Sequence, residues 1–534
     1  MHKLPAKIIA LLLTLCLILS GCSYIRDYFS MLGSYLSGQP HFSDMEYTHP
    51  DIADFRQALT DCQAAAETET DLDKLIEQIL LFNTVYDEYA TARALSMIHY
   101  CADMTDPYWE EEYNHCQQLS TEIMAGIDHL YRALAKSTLR PQLEDEAYFG
   151  ADFFADYEGQ SLFDDHFISL LQQETELINQ YYAIYAEAGE LEPASQGFDQ
   201  LYGPRMAQLM VELVLLRQQI GAYAGYERYD AFAYDFYYGR DFSPEQTTAY
   251  LSDIRAELTP LYRQLAATGD LGIRLNSCDE ASTYAYVSAT ADAMGGMVAD
   301  AFEAMEALEL YDISYGENKY NASFEVYISG YYLPYVFLNP TQTERDKLSF
   351  AHEFGHYCSD YHSYGSVASI DVAEIFSQGM EYLSLCYGPA DENLQKLKML
   401  DCLCVYVEQA AMASFEQQLY ALPTAQVNAD TISQLYSQTC QNFGVDPGYS
   451  YTYITHFYTN PLYVISYVVS NDAALQIYQL ELAQEGAGLA CYNQNLIPWQ
   501  AELLAFLENA ALESPFATGR LQAVRQTLER ALLS

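Results

Sequence analysis

His352-Glu353-Phe354-Gly355-His356 constrains this chain more than any other stretch of it. Residues four apart share one face of an α-helix, so imidazoles at 352 and 356 can reach a single metal ion while Glu353 stands beside them. The donor types suit one Zn²⁺ per chain: two neutral nitrogens hold the ion, and a carboxylate that binds no metal takes a proton from water and gives it up again. Any fold that uses the motif must put it on a helix and bring a third donor to it from elsewhere.

The flanking sequence supplies a helix. Thr343 with Asp346 three residues on forms a capping-box-like start, and the pattern runs to about Tyr361. Just upstream, Phe324, Val326 and Ile328 alternate with other residues, Gly330 follows, and Tyr335-Val336-Phe337-Leu338 continues after Pro334. That is the pattern of a small β-hairpin or ribbon.

Two residues compete to be the third ligand. His362 lies six residues beyond His356, a metzincin-like spacing, but Ser359 stands where a glycine would let the chain turn back. On a continuing helix His362 would point about 120° away from His356. Glu374 sits on a second helical pattern from about Asp371 to Tyr387, in a polar stripe with Asp371, Gln378 and Glu381, while Val372, Ile375, Phe376, Gly379 and Leu383 form the packing stripe. Glu374 is the better donor, because a two-histidine site needs one and nothing nearer fits. The competing reading makes it the glutamate of a capping box begun by Asp371, on a solvated face. Asp371 or Glu381 would then orient an imidazole from behind.

Around this motif the chain reads as mainly helical. From Asp51 to about Leu310, apolar residues recur at three and four spacings over Leu72 to Leu81, Tyr108 to Leu134, Asp165 to Glu187 and Gln208 to Tyr223. Breaks fall at Gly388-Pro389, Asp446-Pro447-Gly448 and Ser514-Pro515. The domains expected are a signal over 1–21, a tether over 22–50, an N-terminal helical lobe over 51–310 and a catalytic helical region over 311–534. With 534 residues, half of them hydrophobic, the chain has ample material for a core.

The N-terminus predicts export. Residues 1–21 join a cationic start (Lys3, Lys7) to an apolar run from Ile8 to Leu19, and Leu19-Ser20-Gly21-Cys22 resembles a bacterial lipoprotein cleavage box in which Cys22 becomes the lipidated N-terminus. The expected location is outside the cytoplasm, lipid-anchored to a bacterial membrane. The formal charge of −50 becomes −52 after cleavage, since residues 1–21 hold Lys3 and Lys7 and no acid. Such a field repels phosphate backbones, which excludes nucleic acid as a partner, and it enriches cationic peptides nearby.

His352-Glu353-Phe354-Gly355-His356, followed by Val372-Ala373-Glu374-Ile375-Phe376-Ser377-Gln378 and Glu381, resembles the family of thimet oligopeptidase and oligoendopeptidase F. Leu216-Arg217-Gln218-Gln219-Ile220, leading to Gly225, Tyr226 and Tyr229, is similar to a stretch of the same family's N-terminal lobe. The resemblance implies zinc on His352, His356 and Glu374 with Glu353 as general base. It also implies substrate-facing roles for His456, Tyr463 and Tyr467, which would stabilise the oxyanion. The fold implied is a large two-lobed helical metallopeptidase with a small β-ribbon beside a deep substrate channel. Its substrates would be short oligopeptides, and Tyr335 to Leu338 would offer a strand edge to them. Two rivals stand beside this expectation: a catalytically inactive peptide- or zinc-binding lipoprotein serving a transporter, and a metzincin-like protease using His362.

Overall fold

Three aspartates start the first long helices of the chain. Asp51 accepts a hydrogen bond from the Ala53 N–H and caps α1 (Ile52–Thr68). Asp71 does the same for α2 (Leu72–Ala102), and Asp106 with Pro107 opens α3 (Pro107–Lys136). Each cap satisfies an N–H that the helix leaves orphaned, and proline at the first position loses no bond. The three helices pack on one another, burying Phe55, Leu75, Ile79, Phe82, Ile123, Ile127 and Leu130. Gly126 sets the closeness of α1 to α3, because a Cβ there would lie 2.9 Å from both Phe55 and Leu59.

The computed structural model describes residues 40–145, 148–188, 195–365, 368–446, 450–497 and 501–533. The elements that follow are α4 (Asp165–Ala188), α5 (Gln196–Tyr223), β1 (Tyr311–Asp312), β2 (Ser323–Ile328), β3 (Leu333–Leu338), α6 (Arg345–Ser363), α7 (Ile370–Tyr387), α8 (Ala410–Tyr420), α9 (Thr455–Thr459), α10 (Ile465–Ala483) and α11 (Ala487–Asn495). Further helices fill much of the remainder, so the described residues are mainly helical with one small sheet. Among the described residues no helix is long and apolar enough to cross a membrane. None of the ten cysteines from Cys62 to Cys491 takes part in a disulfide. The signal over 1–21 and Cys22 lie outside the described residues.

The chain forms two compact units: one from residues up to Ser161 with Leu275–Leu394 and Ala474–Glu502, the other from Leu162–Arg274, Gln395–Ala473 and Leu503 onward. A single boundary at residue 310 is therefore not what the structure shows. Helices far apart in sequence choose each other as packing partners, and periodicity carries no record of that choice. Of the tether expected over 22–50, the described part packs on the folded chain. Phe42 donates its N–H to the Leu308 carbonyl and sets its ring 4.3 Å from that of Tyr335, and His49 meets Glu112 at 2.7 Å.

In the first unit the sheet has the order β1-β3-β2, with β3 parallel to β1 and antiparallel to β2. The hairpin expected from the alternating pattern is β2 and β3, joined by a tight turn at Ser329–Tyr331. Every residue of β3 is buried, and it lies between two neighbours. Tyr335 to Leu338 therefore has no free edge to offer a peptide, which corrects the sequence expectation. The two-residue β1, too short to leave a sequence signal, takes that edge by pairing with Val336 and Phe337, so the outer strands of the sheet are β1 and β2. The start expected for α6 is realised in part. The Asp346 carboxylate reaches back to the Thr343 N–H at 3.0 Å and the Thr341 N–H at 2.8 Å, and the helix proper begins at Arg345.

In the second unit α4 packs on α5, whose start is capped by the Ser195 hydroxyl. Pro204 inside α5 explains why the periodic pattern becomes legible only from Gln208. The carboxylate of Glu416 on α8 is fully buried. Its Oε1 accepts the Leu462 N–H at 2.6 Å, and its Oε2 has no hydrogen-bond partner. Leu462 holds a left-handed backbone with φ +65°. Burial pushes Glu416 up from 4.5 to about 8, against the pull of the Leu462 N–H, Arg217 and Arg240. Between those values the folded chain keeps a proton that the unfolded chain has lost, so this group's contribution to stability falls as pH rises through the window. Wild type should lose on the order of 4 kcal/mol more than Glu416→Gln from about pH 5 to about pH 8, read from unfolding curves at both pH values. Equal losses in the two proteins would show that Glu416 is already ionised at the lower pH.

Candidate metal centre

α6 buries Phe350, Ala351, Phe354, Tyr357 and Cys358, leaving His352 and His356 half-exposed on another face. Gly355 lies between them and brings α7 close. A Cβ at 355 would fall 2.5 Å from the Phe376 carbonyl oxygen, 2.6 Å from Ser377 Cα and 3.0 Å from Met380 Cβ. With that space empty, the side chain of Glu374 reaches across to α6. Its Oε2 is 3.4 Å from His352 Nε2 and 3.9 Å from His356 Nε2, and all three donor atoms lie within 4.8 Å of one another. Bonds of about 2.0–2.1 Å to a tetrahedral zinc place donors about 3.4 Å apart. The observed spacing fits such an ion after small rotations.

A second set of contacts orients these donors. Glu381 Oε1 lies 2.8 Å from His352 Nδ1, which leaves Nε2 to face Glu374. Ser377 Oγ donates to Glu374 Oε2 at 3.0 Å, and Ser323 Oγ, on β2, donates to Glu353 Oε1 at 2.6 Å. Of the two residues expected to orient an imidazole, Glu381 meets His352, and Asp371 is buried, in the first turn of α7. Glu374 is no cap residue: Ser369 precedes α7, and Glu374 is the fifth residue of the helix. The polar stripe of α7 is not solvated either, since Asp371, Glu374 and Gln378 are all buried. His362 is outside the cluster, with its Nε2 2.7 Å from the Met297 carbonyl oxygen, so the metzincin-like ligand set does not form.

The electrostatics ask for a cation. Burial pushes Glu353 up to about 7, with Glu374 and Glu381 adding to the rise, and burial pushes His356 down to about 4, so that its lone pair is available at neutral pH. Burial also works against charge on His352, but hydrogen bonds to Glu374 and Glu381 outweigh it and hold that imidazole well above its ordinary value. A proton on His352 and a metal ion answer the same demand for positive charge.

The other predicted residues lie in the second unit, where the structure gathers them. The His456 ring centroid is 5.4 Å from that of Tyr463 and 6.0 Å from that of Tyr467, the tyrosines are 5.2 Å apart, and His456 Nε2 is 3.5 Å from Tyr467 Oη. Sequence reading missed Ser323 and Ser377. Ser377 is legible in retrospect as the residue three positions after Glu374 on one helix face. Ser323 has no such signal, because only tertiary packing brings β2 to α6.

Residues 42–161 match the Peptidase M3 N-terminal domain. Among solved structures, an oligoendopeptidase F is 20% identical with a TM-score of 0.83, covering 93% of this chain and 99% of its own. PZ peptidase A, solved with an inhibitor, is 19% identical with a TM-score of 0.81, over 92% of this chain and 99% of its own. An oligoendopeptidase F from Bacillus anthracis is 21% identical with a TM-score of 0.79, over 92% and 98%. The fold is that of these proteins. No curated protein matches the chain in sequence.

Gly355→Ala should separate α6 from α7, because the intruding methyl meets main chain that cannot rotate away. Overpacking of this kind costs about 1–3 kcal/mol or more, and thermal unfolding of metal-free protein should show it. An unchanged midpoint would mean that the helices are not in the contact described.

Proposed function

We propose that this protein is a zinc-dependent endopeptidase that hydrolyses short oligopeptides outside the cytoplasm, anchored to a bacterial membrane through lipidated Cys22. The observation that carries the reading is the convergence of His352, His356 and Glu374 from two helices beside the unligated carboxylate of Glu353. The names of the proteins that share the fold support peptides as the substrate class.

Zinc would be held by His352 Nε2, His356 Nε2 and Glu374 Oε2, and when bound it supplies Lewis acidity that polarises a carbonyl and lowers the pKa of water toward neutral. Glu353 takes a proton from the attacking water and returns it to the leaving amine. Ser323 fixes its Oε1, and the raised affinity of this carboxylate for protons suits it to both tasks. Glu381 holds the His352 ring in the tautomer that presents Nε2. By the resemblance, His456, Tyr463 and Tyr467 would supply donors for the oxyanion, and the three lie together in the second unit. Of the two outer strands, the six-residue β2 is the one long enough to pair with an extended peptide.

Glu353→Gln should keep its zinc and lose hydrolysis by about 10²–10⁴-fold on a quenched-peptide series of graded length. His352→Ala and Glu374→Ala should lose the metal, whereas His362→Ala should keep it. Full activity after exhaustive chelation defeats the proposal, and peptide binding without turnover in metal-loaded wild type would favour the inactive lipoprotein instead. Separately, Glu381→Gln should weaken zinc binding about 10–100-fold in a competition titration, and undiminished affinity would deny it the orienting role.

A further inference from the structure

We infer that Arg217 and Arg240 are positioning residues for the reaction: their guanidinium groups hold the backbone that carries His456, Tyr463 and Tyr467. The inference rests on the peptidase reading above and adds to it the means by which these three side chains are aimed.

α9 has only five residues, so the carbonyls of Phe457 and Tyr458 fall in its last turn, where an α-helix has no partner of its own to offer. Arg217, reaching over from α5, takes both. Its Nη1 donates to the Phe457 carbonyl at 2.8 Å and Nη2 donates to that of Tyr458. The same guanidinium is anchored by Glu174 Oε1, 2.6 Å from its Nε, and by the Tyr420 hydroxyl at 3.1 Å, and Glu174 Oε2 is occupied by the Tyr237 hydroxyl. Further along, the Tyr238 hydroxyl donates to the Pro461 carbonyl at 2.7 Å. Glu416 accepts the Leu462 N–H, and Arg240 donates to the Leu462 carbonyl at 3.1 Å and to Ser466 Oγ at 2.9 Å. Arg240 is itself held between the rings of Tyr234 and Tyr238, its guanidinium carbon 4.3 Å from each centroid.

Beyond the single turn of α9, the backbone to Leu462 is thus tied by long-range side chains. Burial follows the same plan. Phe457, Tyr458, Leu462, Val464 and Ile465 point into the core, while His456, Tyr463 and Tyr467 stay half-exposed. Burying a guanidinium is expensive, and an apolar residue at 217 would leave the Glu174 carboxylate and both carbonyls without their donor. An apolar residue could not fix two successive carbonyls in direction. A planar fork does this, and a lysine, as a point charge, does not. Groups that act on a transition state tolerate displacements of well under 1 Å.

The test uses the full mature chain as wild type, Arg217→Lys, Arg240→Lys and the milder Tyr238→Phe, which deletes one hydroxyl. The readouts are peptide kinetics, zinc content and backbone hydrogen exchange over residues 457–466. Arg217→Lys should lower kcat about 100-fold with KM within about threefold and zinc content unchanged, while exchange in this segment speeds at least about tenfold. Tyr238→Phe should show the same signature at about three- to tenfold, and it decides the matter if the arginine variants do not fold. Faster exchange with wild-type kcat, or a lost kcat with wild-type exchange, overturns the inference. Wild type that binds zinc but cleaves no peptide instead overturns the reading on which it rests.

Discussion

The whole centre depends on one close approach, that of α6 to α7 at Gly355. Because residue 355 has no Cβ, the main chain at Phe376 and Ser377 can lie against α6. That contact fixes the distance at which Glu374, one turn earlier on α7, meets the two histidines. Around the contact the packing is apolar and tight, with Phe350, Phe354, Ile375, Phe376 and Met380 buried. The core therefore acts as the ruler for a polar site, and a methyl group of extra width would be transmitted directly to the donors.

Electrostatically the site works against its own fold. Glu374 and Glu381 sit close enough to Glu353 to add to the rise in its proton affinity, and Glu353 and Glu374 are buried below a tenth of their surface. Ser323 and Ser377 each give a carboxylate one neutral donor, which eases but does not cancel the repulsion. Such arrangements persist where a cation completes them, since the alternative is a buried negative charge without compensation.

The aromatic group of the second unit follows a different principle. His456, Tyr463 and Tyr467 carry no metal demand, and their placement comes from backbone hydrogen bonds to buried arginine, tyrosine and glutamate side chains. One unit orients donors through side-chain contacts behind them, and the other orients a chain segment from beneath. Both arrange polar groups in advance through contacts that the fold itself supplies.

The helices and the donors were legible because both are written in local spacing. Four residues separate His352 from His356, and three and four separate the apolar positions of α2, α3 and α7. Glu374 was reachable by need, as the third donor that a two-histidine site requires. What local spacing cannot carry is the identity of a partner across space. It did not reveal that β1 covers the edge of β3, that Ser323 reaches Glu353, that α7 buries its polar stripe, or that chain segments far apart share a unit. Those follow from which surfaces exclude water together, a property of the folded chain as a whole. Sequence alone determined the chemistry available to this protein, through residue types at helical intervals. Tertiary structure decided which of those groups meet and how they are aimed, because only packing sets distances between residues that the chain holds far apart.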